Sequence, residues 1–198
     1  MRHRRLHLIV FGAQGAGKGT QAKVLCDRFG LVHVNTGDRL REMAEEPSPI
    51  GERISKTLKR GHLIGDDLVT EIIELQIGGI PPDTGFVLDG YPRNVYQAEQ
   101  LHRILQGFGR LDPKPVFINF EVPLDKLVPR LLKRRRLEGR HDDVAPAIEQ
   151  RHLLYQERTQ PVLESVTGWA DVVTVNGDRP IPDVSEEMLT MLPHAEAT

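Results

Sequence analysis

The chain has 198 residues with 26 Lys and Arg against 28 Asp and Glu, a formal net charge of −2. That balance excludes a globally cationic nucleic-acid binder and an acidic solvating chain alike. With 39% hydrophobic and 27% charged residues the composition is that of a globular protein, one that buries roughly 70% of the surface its unfolded chain exposes. Aromatic residues are only 5%, so the core is expected to be mostly aliphatic. A single cysteine, Cys26, precludes an intramolecular disulfide and is expected to pack as a small apolar side chain. The first apolar run, Leu8 to Phe11, is far too short to span a membrane, and the basic start Met1 to Arg5 is not followed by the longer apolar stretch of a leader. These features point to a cytoplasmic enzyme.

In chain order, short β-branched apolar runs alternate with helical patterns. Leu8–Phe11 ends at Gly12. Ala22, Leu25 and Phe29 then follow helical spacing up to Gly30, a candidate left-handed cap. Leu31–Val34 ends at Asn35-Thr36-Gly37-Asp38. Ile50, Ile54 and Leu58 recur every four residues and stop at Gly61. Asp66 or Asp67 is the expected cap of a helix that buries Leu68, Val69, Ile72, Ile73 and Ile77. Phe86–Leu88 runs into Asp89-Gly90, and a helix is expected over Gln97 to Leu105. Val116–Phe120 follows. Next comes an apolar stripe at Leu127, Val128, Leu131 and Leu132, which Pro129 should kink or shorten. Ile148 to Val166 reads as one long helix bent at Pro161. Asp171–Val175 and a closing helix over Val184 to Leu192 complete the chain. Five continuous apolar runs predict strands buried on both faces of a five-stranded parallel sheet, with helices on both sides, in an α/β doubly wound fold. Such folds bind ligands at the carboxyl ends of their strands, where these runs meet Gly, Asp and Thr.

Gly12-Ala13-Gln14-Gly15-Ala16-Gly17-Lys18-Gly19-Thr20 follows a strand and opens a helix, the context a phosphate-binding loop needs. Glycines let consecutive backbone N–H groups wrap an anion at the positive end of the helix, and Lys18 adds a cation for the outer phosphates. The residue after the lysine is Gly19, with Thr20 one place late for a metal-ligating hydroxyl. At later strand ends, Arg41 and Arg93 can grip a monophosphate bidentately. Gln97 offers an amide suited to a purine edge, and Thr36 a small hydroxyl. The stretch Arg130 to Arg151 carries seven basic and four acidic side chains, a positive island on an otherwise acidic chain. It holds no aromatic residue for base stacking, which favours a discrete anion site over an RNA surface.

These motifs resemble the adenylate kinases of the nucleoside monophosphate kinase family, of the short-lid type, from about Leu8 to Leu192. Gln14 stands where that family usually has proline. The resemblance implies a P-loop NTPase-like core over 6–36, 83–133 and 144–192, a nucleoside monophosphate segment over about 37–78, and a lid over about 134–143. It implies ATP binding by Gly15, Ala16, Gly17, Lys18, Gly19, Thr20, Arg130, Arg134, Gly177 and Arg179. Binding of AMP falls to Thr36, Arg41, His62, Leu63, Ile64, Gly90, Tyr91, Pro92, Arg93, Gln97, Arg140 and Arg151, with His62 in place of the usual lysine. Lys18, Arg93, Arg134, Arg140 and Arg151 would balance charge on the migrating phosphoryl group. Asp142 and Asp143 would orient arginines as the lid closes, and Asp89 would hold Mg²⁺ through water. No structural zinc is expected, because the long cysteine-bearing lid of many bacterial members is missing. None of the eight histidines is expected to act as a general base. The expected reaction is Mg²⁺-dependent phosphoryl transfer between ATP and AMP to give two ADP, by a monomer without nucleic-acid or membrane partners. The alternatives are a kinase for UMP, CMP or another monophosphate, disfavoured by Thr36 and Gln97, and a non-catalytic ATP-binding regulatory module.

Overall fold

The computed structural model describes residues 6–60, 62, 64–138 and 144–192. Five parallel strands form one sheet: β1 (His7–Phe11), β2 (Val32–Asn35), β3 (Phe86–Asp89), β4 (Val116–Glu121) and β5 (Asp171–Asn176), in the order β2-β3-β1-β4-β5. Strand β1 is central, and the chain winds outward from it in both directions, so its carboxyl end lies at the topological switch point.

Alternate residues of the strands feed two cores. Ile9, Phe11, Val34, Leu88 and Phe117 face one layer, built from α2 (Thr36–Glu45), α3 (Pro49–Lys59), α4 (Asp66–Gly78), α5 (Val95–Gly107) and α8 (Val162–Ser165). Leu8, Val10, Val87, Ile118 and Phe120 face the other layer, of α1 (Lys18–Phe29), α6 (Leu124–Glu138) and α9 (Ile181–Met191). The period-2 alternation explains why runs with no polar gap still form strands: each neighbour needs its own apolar cover. This double burial holds for β1 and β3 and for most of β4. It does not hold for β2 and β5, which are partly exposed along their length because they are the edges of the sheet.

Gly30 caps α1 in the left-handed region (φ 64°), its N–H donating to Cys26 O. Cys26 itself packs with the second core, and burial pushes its thiol up to about 11. Other helix ends depart from expectation. The N-cap of α4 is Gly65, so Asp66 and Asp67 sit in its first turn, and the Asp66 carboxylate is used elsewhere. A helix begins directly at Thr36, capped by Asn35, whose side chain accepts from Asp38 N at 3.0 Å. Pro129 lies inside α6 without ending it; the residue is exposed, where water can take up the carbonyl it leaves unpaired. The expected long helix over Ile148 to Val166 is broken into α7 (Ala145–Leu154), a π turn over Tyr155–Thr159, and the short α8 after Pro161.

Candidate functional site

The phosphate loop is shaped by close packing. Gly12 has φ 131°, and a Cβ there would stand 2.5 Å from Phe120 O, so no other residue fits where β1 passes β4. Gly15 and Gly17 also have positive φ, 83° and 91°. Gly17 is the N-cap of α1 and supplies no side-chain acceptor, which leaves the first-turn amides of that helix directed at the loop. Lys18 folds back over the loop, its Nζ donating to Gly12 O and Ala13 O at 2.9 Å each. Burial lowers its pKa to about 8; Asp89 opposes that shift, and Arg93 and Arg134 add to it. The Asp89 carboxylate lies 3.4 Å from the point where a side chain on Gly19 would begin. A side chain beginning there would meet the carboxylate at ordinary van der Waals distance.

The ends of β2 and β3 converge beside this loop. Gly90 (φ 90°) lies against Thr36 and the Gly37 backbone. Thr36 is 1% exposed, and its hydroxyl has no hydrogen-bond partner among the described residues. Arg41, on α2, packs on Gly37 and is ion-paired with Asp38. Arg93 is held three ways: its Nε donates to Gly90 O (2.8 Å), its backbone N to Gln97 Oε1 (2.7 Å), and its carbonyl accepts from Thr159 Oγ1 (2.8 Å). Burial pushes the guanidinium pKa down, and Arg151 and Arg41 push it further against the pull of Asp89. Gln97, 2% exposed, has its amide engaged inside the protein, since Nε2 donates to Asp66 Oδ1 at 2.7 Å. Asn94, the N-cap of α5, donates to the same oxygen at 3.0 Å. Tyr91 and Pro92 are buried, with the Tyr91 hydroxyl 3.0 Å from Thr70 Oγ1 and its pKa raised to about 12 by burial.

A cavity of about 70 Å³ joins these pieces, with Gly12, Gln14 and Lys18 on one wall, Gly90 to Arg93 on another, and Arg151, Tyr155 and Thr159 closing it. Arg151 donates to Gln14 Oε1 (3.3 Å) and to Leu58 O at the end of α3 (3.4 Å). Behind the loop, Arg130 donates to Gly177 O and Asp178 Oδ1, both at 3.0 Å. Gly177 in turn packs against Ala16 O. Arg134 is half-buried within electrostatic reach of Lys18.

The structure thus brings together Gly15 to Gly19, Asp89, Gly90 to Arg93 and Arg151, with Thr36 against Gly90 and Arg41 on Gly37. Arg130 and Gly177 form a second group behind Ala16. Other expected residues are not part of the cavity lining. Thr20 and His62 are exposed, and Ile64 packs on the core beside α4. His62 borders a wider depression of about 380 Å³ along α3 that shares no residue with the cleft. Arg179 is exposed and ion-paired with Glu187 of α9. Leu63, Arg140, Asp142 and Asp143 lie outside the described residues, as does half of the expected lid. Sequence reasoning missed Tyr155, Thr159, Asn94 and the Asp66 carboxylate. Only Asn94 carries a signal, a capping residue three places before Gln97. Among the described residues no group of three or more His, Cys, Asp or Glu is placed to hold a metal ion, and no helix is long and apolar enough to cross a membrane.

Known proteins match most of this chain. The family model for adenylate kinase matches residues 10–169. An adenylate kinase of Nocardia farcinica is 37% identical over 188 residues, covering 94% of this chain and 99% of the relative. One of Caldicellulosiruptor saccharolyticus is 33% identical over 94% of this chain and 99% of its own length. One of Xanthomonas euvesicatoria is 34% identical over 92% and 97%.

Proposed function

The chain belongs to the adenylate kinase family of phosphotransferases acting on nucleoside monophosphates, and we propose that its reaction is ATP + AMP to two ADP, reversibly. The observation that carries this reading is the shared cavity: the ATP-type phosphate loop and the arginine at the end of β3 open into one space, with Arg151 between them. Closed over its substrates, a cleft built that way would set two phosphate chains end to end.

In the proposed step an oxygen of the AMP phosphate attacks the γ-phosphorus of ATP in line. The bond from that phosphorus to the β–γ bridging oxygen breaks, and its electron pair leaves with the departing ADP. A loose, metaphosphate-like transition state leaves the protein little covalent work, so alignment and charge stabilisation dominate. Lys18, Arg93, Arg134 and Arg151 would share the equatorial and bridging charge, with Arg140 joining from the lid. Cations kept in a half-buried cluster at the cost of mutual repulsion fit a polyanionic ligand, whose arrival relieves that repulsion. The buried, unpartnered Thr36 hydroxyl would meet the base of AMP, with the Gln97 amide turned from Asp66 toward its edge. Arg41 would exchange Asp38 for the AMP phosphate. Arg130 and Gly177 would border the adenine of ATP. The donor chemistry suits Mg²⁺ carried with ATP: the Asp89 carboxylate, 9% exposed, abuts the loop at Gly19. Asp89 would hold the ion through water, and when bound the ion would neutralise charge shared by the outer phosphates. Closure of the 37–78 segment and of the lid over 134–143 would exclude water and prevent wasteful hydrolysis of ATP. The enzyme we propose acts as a cytoplasmic monomer on small nucleotides alone.

The test is a panel of AMP, UMP, CMP and GMP with ATP and Mg²⁺, followed by diphosphate formation. Two ADP formed per ATP with AMP strongly preferred is the expected result. A preference for UMP or CMP would move the enzyme to a sister specificity, and no diphosphate with any acceptor would refute the reaction.

A further inference from the structure

Gln14 is the one polar, uncharged side chain that the phosphate loop sends into the cavity. Its amide oxygen accepts from Arg151 Nη1, while Nη2 of the same guanidinium reaches Leu58 O. Leu58 is in the last turn of α3, at the negative end of the helix dipole, and its carbonyl also accepts from the Arg60 N–H. Two neutral acceptors on two different elements therefore meet one guanidinium fork. They do so against a force. Arg151 is the strongest of the neighbouring charges that disfavour the protonated form of Arg93, and that repulsion pushes a flexible arginine out of the cleft.

We propose that Gln14 is a positioning residue. It accepts a hydrogen bond from Arg151 and so holds that guanidinium facing Lys18 and Arg93, where it meets the phosphoryl group in flight, and it links the phosphate loop to the end of α3 through the same side chain. This rests on the phosphotransfer reading for its catalytic consequence, but not for the tie itself. Gln14 carries no charge and contributes no charge stabilisation; its effect passes through Arg151. Loss of the acceptor leaves both nucleotides able to bind and leaves the arginine misplaced at the moment of transfer.

A double-mutant cycle reads this. Gln14→Leu keeps the bulk of the side chain and removes the acceptor. It is expected to lower kcat about tenfold while both KM values and the melting temperature stay within about twofold and a degree or two of wild type. In an Arg151→Ala background the same change is expected to have no further effect, because the group it positions is gone. An equal loss in the Arg151→Ala background, or an unchanged kcat in the single variant, would overturn the proposal. A purely structural role for Gln14 would give additive losses and a lower melting temperature. The tie is also read without turnover, from the ¹⁵Nε relaxation of Arg151 in the nucleotide-free protein. The order parameter is expected to fall in Gln14→Leu; if it does not, the tie is refuted. If wild type forms no diphosphate with any acceptor, the reaction reading fails, and this relaxation measurement alone judges the tie.

Discussion

Replacing Arg93 by alanine separates a catalytic role from a structural one. Among the described residues the guanidinium makes one hydrogen bond to the protein, from Nε to Gly90 O at 2.8 Å. The backbone contacts to Gln97 and Thr159 do not use the side chain and survive the substitution. Against the lost bond stands relief: burial and the charges of Arg151 and Arg41 already disfavour the protonated side chain. One net hydrogen bond is worth about 1 kcal/mol, and removing a repelled cation returns part of it. Stability should therefore change by less than about 1 kcal/mol, roughly 2–4 °C in melting temperature for a chain of this size. The catalytic cost is different in kind. A preorganised donor aimed at developing charge contributes about 3–4 kcal/mol, or 10² to 10³ in kcat, and arginines at transferring phosphoryl groups contribute up to about 10⁵. The Arg93→Ala protein should melt almost as wild type and make ADP from ATP and AMP at least a hundredfold more slowly. The assay is initial-rate ADP formation at saturating nucleotide, with circular dichroism melting of the same preparation. A variant that melts normally and turns over within about threefold of wild type would refute the charge-stabilising role.

Other perturbations follow from the same geometry. Lys18 loses its proton near pH 8 in the free enzyme, so kcat/KM for ATP should fall as pH rises through about 8, whereas kcat, measured with phosphates bound beside the amine, should hold to higher pH; parallel declines of both would count against this. Gly12→Ala forces a Cβ to within 2.5 Å of Phe120 O in a left-handed backbone and should cost ~3 kcal/mol, seen as a fall of roughly 6–12 °C in melting temperature. Thr159→Val removes the bond to Arg93 O and should lower kcat severalfold with about 1 kcal/mol of stability, measured by the same rate and melting experiments. Gln97→Asn shortens the amide that meets Asp66 and should weaken the preference for AMP over UMP and CMP in the acceptor panel; an unchanged preference would remove Gln97 from base recognition.

What could be read from the chain and what could not divides along a physical line. The phosphate loop was legible because its chemistry is contiguous: glycines for close approach, a lysine, and a strand and helix to either side. The five strands were legible because double burial demands unbroken apolar runs, and the exposure of β2 and β5 was not, because edge position is a property of the sheet and not of the run. Helix ends failed where a backbone solution replaced a side-chain one. Asp66 looked like a cap, yet Gly65 occupies that position and the carboxylate binds Asn94 and Gln97 instead. The π turn at Tyr155–Thr159 left no trace in the pattern, since one wider turn shifts the helical phase without changing residue type. Its effect is nonetheless local to the site, because Tyr155 and Thr159 line the cavity and Thr159 bonds the Arg93 carbonyl.

The strand register explains how a site scattered along the chain becomes one place. Asp89 is paired with Asn35 on one side and with Val10 on the other, and Phe11 is paired with Asn119. The turn into α2, the aspartate of β3 and the start of the phosphate loop are therefore neighbours across adjacent strands, although the sequence separates them widely. All strands run the same way, so every one of them delivers its following loop to the same edge. Side chains alternate faces with a period of two, so a slip of β3 by one residue would exchange the sides of Leu88 and Asp89. Phe86, Val87 and Leu88 are apolar toward both cores, so polarity alone does not fix the register; the different sizes of Phe86 and Val87, each packed in its own core, help to do so. The register in turn determines that the carboxylate stands beside Gly19 and that Arg93, four residues further on, opens into the same cavity as Lys18.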